Sequence, residues 1–88
     1  MYRVEISKKA AKDLPNIKAA KLWEKLLLLL RILENNPYQS PPPFEQLRGN
    51  LSSFYSRRIN IQHRLVYQVD ESTKIVKVVS FWSHYENL

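Results

Sequence analysis

Apolar and polar residues alternate at the start of the chain and again through its second half; between these stretches the apolar period lengthens to that of a helix. Tyr2 to Ile6 alternates and predicts a short strand. Ser7 follows as a plausible N-cap. Residues 8–35 are rich in Lys, Ala, Leu and Glu, all good helix formers. Pro15 interrupts this run and either kinks a first helix or opens a second one, so a helical hairpin is expected with its bend between Pro15 and Lys21. Leu22, Leu26, Leu29, Leu30 and Leu33 recur at helical spacing and define a core face. Leu27 and Leu28 widen that stripe. The ordinary explanation is a helix buried on most of its circumference; the sharper one is surplus apolar surface that meets a partner.

Pro37 and the run Pro41-Pro42-Pro43 form a rigid connector, after which the period changes. Phe54 to Ile59, Arg64 to Val69 and Lys74 to Ser83 read as three strands, with Asn60-Ile61-Gln62 and Asp70-Glu71-Ser72-Thr73 as turns. In the middle strand Leu65, Tyr67 and Val69 share one face and suit packing on helices; Arg64, Val66 and Gln68 share the other, which sends Arg64 to the open side of the sheet. Strand, helices, then three strands predict an α+β fold: a small, antiparallel-dominated sheet with a two-helix N-terminal layer on one face, one domain over residues 1–88.

Composition narrows the chemistry. Fourteen Lys and Arg against eight Asp and Glu give a net charge of +6, which favours polyanions: nucleic acid first, then an acidic protein or an anionic membrane surface. The absence of cysteine removes disulfides, thiol nucleophiles and cysteine-ligated metals, and agrees with an intracellular setting. A single glycine, Gly49, removes glycine-rich phosphate loops. The opening Met1 to Glu5 lacks a signal peptide's apolar stretch, and the longest leucine run, Leu26 to Leu30, is too short to span a membrane. Two histidines, His63 and His84, make a poor metal site, and no metal is expected.

The remaining polar residues are Glu45, Arg48, Arg57, Arg58, Arg64, His84 and Tyr85. Singly each has a bland explanation: a solvated strand pair, a frayed terminus, loop decoration. Together they supply what metal-free RNA cleavage needs. A base takes the proton of the 2′-hydroxyl, a fixed cation holds charge on the five-coordinate phosphate, and an acid protonates the departing 5′-oxygen. Glu, Arg and His fill those roles in that order, and arginine's planar, permanently charged fork matches two phosphate oxygens. Trp82 and Tyr85 are suited to stacking on unpaired bases.

Ser56-Arg57-Arg58-Ile59, His63-Arg64-Leu65-Val66-Tyr67 and Ser83-His84-Tyr85, with Pro43-Phe44-Glu45-Gln46-Leu47 upstream, closely resemble the YoeB/Txe toxins of the RelE/ParE superfamily. Ser7-Lys8-Lys9-Ala10 and the Asn36-Pro37 helix exit also fit, so the resemblance spans nearly the whole chain. It implies a toxin of a type II toxin–antitoxin pair that enters the ribosomal A site and cuts mRNA, leaving a 2′,3′-cyclic phosphate and a 5′-hydroxyl. By the family pattern Glu45 aligns with the general base, Arg64 with the arginine that stabilises the transition state, His84 with the general acid and Tyr85 with the tyrosine that orients the RNA. Arg58 aligns with a second phosphate-contacting arginine, and Arg48 with a basic residue against the RNA backbone. Arg57 is carried as a further RNA contact, although neighbouring strand residues point to opposite faces. The same alternation turns His63 away from Arg64 and gives it a structural role.

The chain departs from the pattern at Ser53, where relatives often have glycine, at Gln62, where they often have an acid, and in the extension beyond Tyr85 that brings Glu86 beside the site. The implied partners are a YefM/Phd-like antitoxin, the ribosome and mRNA, in the cytoplasm, with no membrane and no small-molecule cofactor. Two other functions compete: a ParE-like inhibitor of DNA gyrase, and a non-catalytic basic domain whose arginines touch only phosphate. The full Glu45, Arg64, His84 and Tyr85 set argues against the gyrase reading; the non-catalytic one predicts an affinity that falls with salt and a His84 substitution that changes nothing but that affinity.

Overall fold

The computed structural model describes residues 1–81. Five strands, β1 (Arg3–Ile6), β2 (Glu45–Gln46), β3 (Phe54–Arg58), β4 (Arg64–Asp70) and β5 (Ile75–Ser80), form one sheet in the order β1-β5-β4-β3-β2. Every pairing is antiparallel except that of β1 with β5. Helical segments α1 (Lys8–Ala11), α2 (Leu14–Ala19) and α3 (Trp23–Asn35) cover one face, as expected of the α+β architecture. Among the described residues, no helix is long and apolar enough to cross a membrane.

The first helical arm is broken where the sequence predicts trouble. Ser7 caps α1, its Oγ accepting from the Ala10 N–H at 3.1 Å. The arm breaks at Lys12 and Asp13, and Pro15 stands in the first turn of α2, where its missing N–H costs nothing. The reversal into α3 comes at the far limit of the expected window, at Ala20 to Leu22. Lys21 adopts φ 61° there, and the amides of Lys21 and Leu22 donate back to the carbonyls of Lys18 and Ile17, both at 3.0 Å. This is a Schellman cap with lysine in the seat glycine usually takes.

Leu26, Leu29 and Leu33 of α3 join Ala10 and Ile17 against Leu65, Tyr67, Val76 and Val78 of the sheet. The helix is less enveloped than its leucine content suggests: Leu27 and Leu28 are 40% and 54% exposed. A two-layer domain covers only one side of α3, so the stripe's surplus faces outward.

Strand boundaries agree with the sequence reading to within one residue, except that β5 stops at Ser80 where the strand was expected to run on to Ser83. β2 is the unforeseen element, two exposed residues too short to carry a period. It extends the sheet past β3, with Glu45 opposite Ser56 and Gln46 opposite Tyr55. Register between β3 and β4 sets Arg57 opposite Leu65 and Arg58 opposite Arg64. Since Leu65 and Tyr67 face the helices, Arg57 and Tyr55 do too, while Glu45, Ser56, Arg58 and Arg64 share the open face.

Candidate active site

Glu45 and Arg64 reach the same place from two different strands. Glu45 enters from the edge strand β2, Arg64 from the first residue of β4, and Arg58 stands between them on β3. The Arg64 Nη1 lies 3.5 Å from Glu45 Oε1, with the two side chains 28% and 60% exposed. This contact is longer than the roughly 2.7–2.9 Å of a tight charge-assisted hydrogen bond. An ion pair so exposed is worth about 0–1 kcal/mol. Its weakness leaves the guanidinium fork available to an incoming anion. A cleft of about 400 Å³ opens here, lined by Pro43, Phe44, Glu45, Ser56, Arg58 and Arg64.

Ser56 is the member the sequence reading did not single out. Its hydroxyl is buried on the cleft side and has no hydrogen-bond partner among the described residues. The signal was available: it lies two residues before Arg58 and therefore on the same strand face. Arg48 is exposed at the head of the 3-10 turn Gly49–Leu51 and does not line the cleft. His63 is half-buried at the end of the β3–β4 turn; its N–H donates to Asn60 Oδ1 at 2.7 Å, and its carbonyl accepts from Ile59. The expected site residues Trp82, His84 and Tyr85 lie outside the described residues.

Arg57 corrects the expectation. It is 1% exposed and points away from the cleft, into the layer between sheet and connector. Its Nη1 donates to Pro42 O at 2.7 Å, and its Nη2 to Pro37 O at 2.9 Å and Gln39 O at 2.8 Å. The guanidinium sits 4.8 Å from the Phe44 ring centroid and 6.0 Å from that of Tyr67. Strand alternation sets it on the face opposite Arg58, enclosed between sheet and connector rather than on the cleft.

A larger hollow, about 660 Å³, lies toward the β4–β5 turn, among Glu5, Gln68, Asp70, Glu71 and Lys77. Its three carboxylates repel anions, so the smaller cleft, with Arg58 and Arg64 in its lining, is the one suited to an anionic ligand. Glu71 is otherwise occupied: Lys74 Nζ donates to it at 2.8 Å, Tyr38 Oη at 2.6 Å and Tyr2 Oη at 3.0 Å. Those bonds, Lys74's first, hold its carboxyl down at about 2. Partial burial, then the bond to Glu71, push the Tyr38 phenol above its usual range. Among the described residues, no three His, Cys, Asp or Glu side chains cluster as metal ligands.

A sequence profile of the YoeB-like toxins of bacterial type II toxin–antitoxin systems matches residues 9–85. The chain belongs to the YoeB toxin family. The Toxin YoeB of Synechocystis is 35% identical over 66 residues, covering 75% of this chain and 74% of that one. Among solved structures, the YoeB–YefM complex of Staphylococcus aureus superposes with a TM-score of 0.78 at 33% identity, covering 97% of this chain and 99% of its counterpart. The YoeB/ParE toxin of Agrobacterium tumefaciens gives 0.83 at 27% identity, covering 94% and 99%. This YoeB-family toxin therefore shares both sequence and fold with toxins of type II systems.

Proposed function

We propose that this toxin is a ribosome-dependent, metal-independent endoribonuclease that cuts mRNA in the A site and so inhibits translation. The observation that carries the reading is the Glu45 carboxylate facing the Arg64 guanidinium at 3.5 Å, with Arg58 in the same cleft. Glu45 takes the proton of the 2′-hydroxyl. The 2′-oxygen bonds to phosphorus, and Arg64 and Arg58 hold the charge that gathers on the non-bridging oxygens. The bond from phosphorus to the 5′-oxygen breaks, and His84 supplies the proton that oxygen needs. The products are a 2′,3′-cyclic phosphate and a 5′-hydroxyl. Tyr85 orients the RNA, Trp82 stacks on an unpaired base, and Arg48 touches backbone phosphate further along. A YefM/Phd-like antitoxin is the protein partner, its acidic segment drawn to the +6 toxin.

Single-turnover cleavage of an mRNA positioned on ribosomes, with end-group analysis, tests this. Glu45→Ala and His84→Ala are expected to slow the cut by about 10²–10⁴-fold each. Arg64→Ala is expected to slow it by about 10²–10³-fold. A well-folded wild type that cuts no mRNA but blocks supercoiling by purified gyrase would replace this reading with the inhibitor one. RNA binding without any cut would leave the non-catalytic one.

A further inference from the structure

Arg57 presents an energetic puzzle. A guanidinium stays charged in any protein, and burying a charge is costly unless it is paired. Arg57 is 1% exposed, and among the described residues its guanidinium meets three backbone carbonyls and two aromatic faces but no carboxylate. Its Nε is buried and has no hydrogen-bond partner among the described residues. All three carbonyls belong to one stretch, Pro37 to Pro42, which has no regular secondary structure and connects α3 to β2. Tyr67 adds a fourth tie, its hydroxyl donating to Pro37 O at 2.7 Å.

That stretch delivers Glu45. Only Pro43 and Phe44 separate the last carbonyl held by Arg57 from the carboxylate-bearing residue, and the Phe44 ring lies against the guanidinium. β2 itself is two residues long and pairs on one side only, so its own ladder holds it weakly. The position of the Glu45 carboxylate on the open face is therefore set largely from the opposite face, through the connector.

We propose that Arg57 is a positioning residue for Glu45: it clamps the Pro37–Pro42 connector from behind the sheet and so fixes the base against Arg64. The proposal rests on the nuclease reading above. Arg57 does not touch RNA. Its effect appears in the rate of the chemical step and passes entirely through Glu45. Lysine keeps the charge but lacks the fork that reaches three carbonyls at once. Misplacing a reacting group by about 1 Å costs on the order of 10²-fold, which sets the upper scale of the loss.

The test is a double-mutant cycle in single-turnover cleavage on ribosomes, using Arg57→Lys, Glu45→Ala and the pair. Arg57→Lys is expected to lower the rate constant about 10–100-fold, with the half-saturating ribosome–mRNA concentration unchanged. In the Glu45→Ala background the same change is expected to cost less than about twofold, since no base remains to be misplaced. Tyr67→Phe, which removes the fourth tie and leaves the aromatic core in place, gives a smaller loss that also vanishes in that background. It carries the test should Arg57→Lys fail to fold. Full activity of folded Arg57→Lys, a loss that multiplies with that of Glu45→Ala, or a loss confined to affinity would each overturn the positioning role while the nuclease reading stands. A wild type that cuts nothing overturns the nuclease reading itself, and this role with it.

Discussion

Tyr67→Phe isolates one hydrogen bond in the interior. The Tyr67 ring is fully buried in the core, and its hydroxyl donates to Pro37 O at 2.7 Å. The same carbonyl also accepts from Arg57 Nη2 at 2.9 Å. Removing the hydroxyl therefore deletes a bond without leaving the carbonyl bare. The loss is that of one ordinary bond, about 1 kcal/mol. For a chain of this size that lowers the melting temperature by about 4–8 °C. The whole domain's stability is about 4–13 kcal/mol by length, so the change is readily measured by urea or thermal unfolding. A second readout is alkaline. Burial pushes the Tyr67 phenol above 10.0, with the Arg57 cation pulling it partly back. The folded state holds this proton more tightly than the unfolded state. Stability from Tyr67 is therefore complete below pH 10 and falls as pH rises beyond it. Tyr38, raised likewise, adds to the same slope, so Tyr67→Phe makes the alkaline fall shallower without removing it. A loss beyond about 3 kcal/mol, the scale for a buried carbonyl left without a donor, or no loss at all, refutes the shared-carbonyl account.

Three further outcomes are expected. Glu71→Gln weakens the tie among Tyr2, Tyr38 and Lys74; because the folded carboxyl titrates at about 2 rather than 4.5, the stability gap between wild type and variant is full above pH 4.5 and closes as pH falls toward 2, checked by urea titrations across that range. Leu29→Ala costs about 2–5 kcal/mol in the same assay, whereas Leu28→Lys, on the half-exposed side of α3, costs under about 1 kcal/mol. Lys21→Gly relieves the positive φ at the Schellman cap and raises stability by up to about 1 kcal/mol, and a loss of that size would show that the lysine side chain matters more than its backbone.

Much of the sheet was legible because period is a local property. β4 shows its buried face directly in Leu65, Tyr67 and Val69, and the helical arms show theirs in leucine spacing. What sequence withholds is register. Arg57 and Arg58 are equivalent as letters, and only the pairing of Arg57 with Leu65 decides that one is buried under the connector and the other is a surface cation. β2 escaped because two residues have no period, although the residue it carries, Glu45, was found through its motif. The Lys21 cap escaped because lysine gives none of glycine's warning. The register shift between β4 and β5 at Val66 and Tyr67, which lets Val66 pair with Ser80 on one face and Tyr67 with Val78 on the other, leaves no trace in composition.

The parallel pairing of β1 with β5 has a consequence for the protein's own synthesis. Arg3 lies opposite Ile75, and Ser7 N–H donates to Val78 O. The first strand of this sheet in chain order is thus the last to find its neighbour, while the β3–β4 and β4–β5 hairpins close locally. Loop closure on this scale is slow and yields nothing until the far strand has emerged. A nascent chain halted before β5 leaves β1 unpaired and the helical layer without half of its floor. The cleft residues on β2, β3 and β4 are brought together by local pairing, whereas the helical layer gains its full floor only once β5 has joined the sheet.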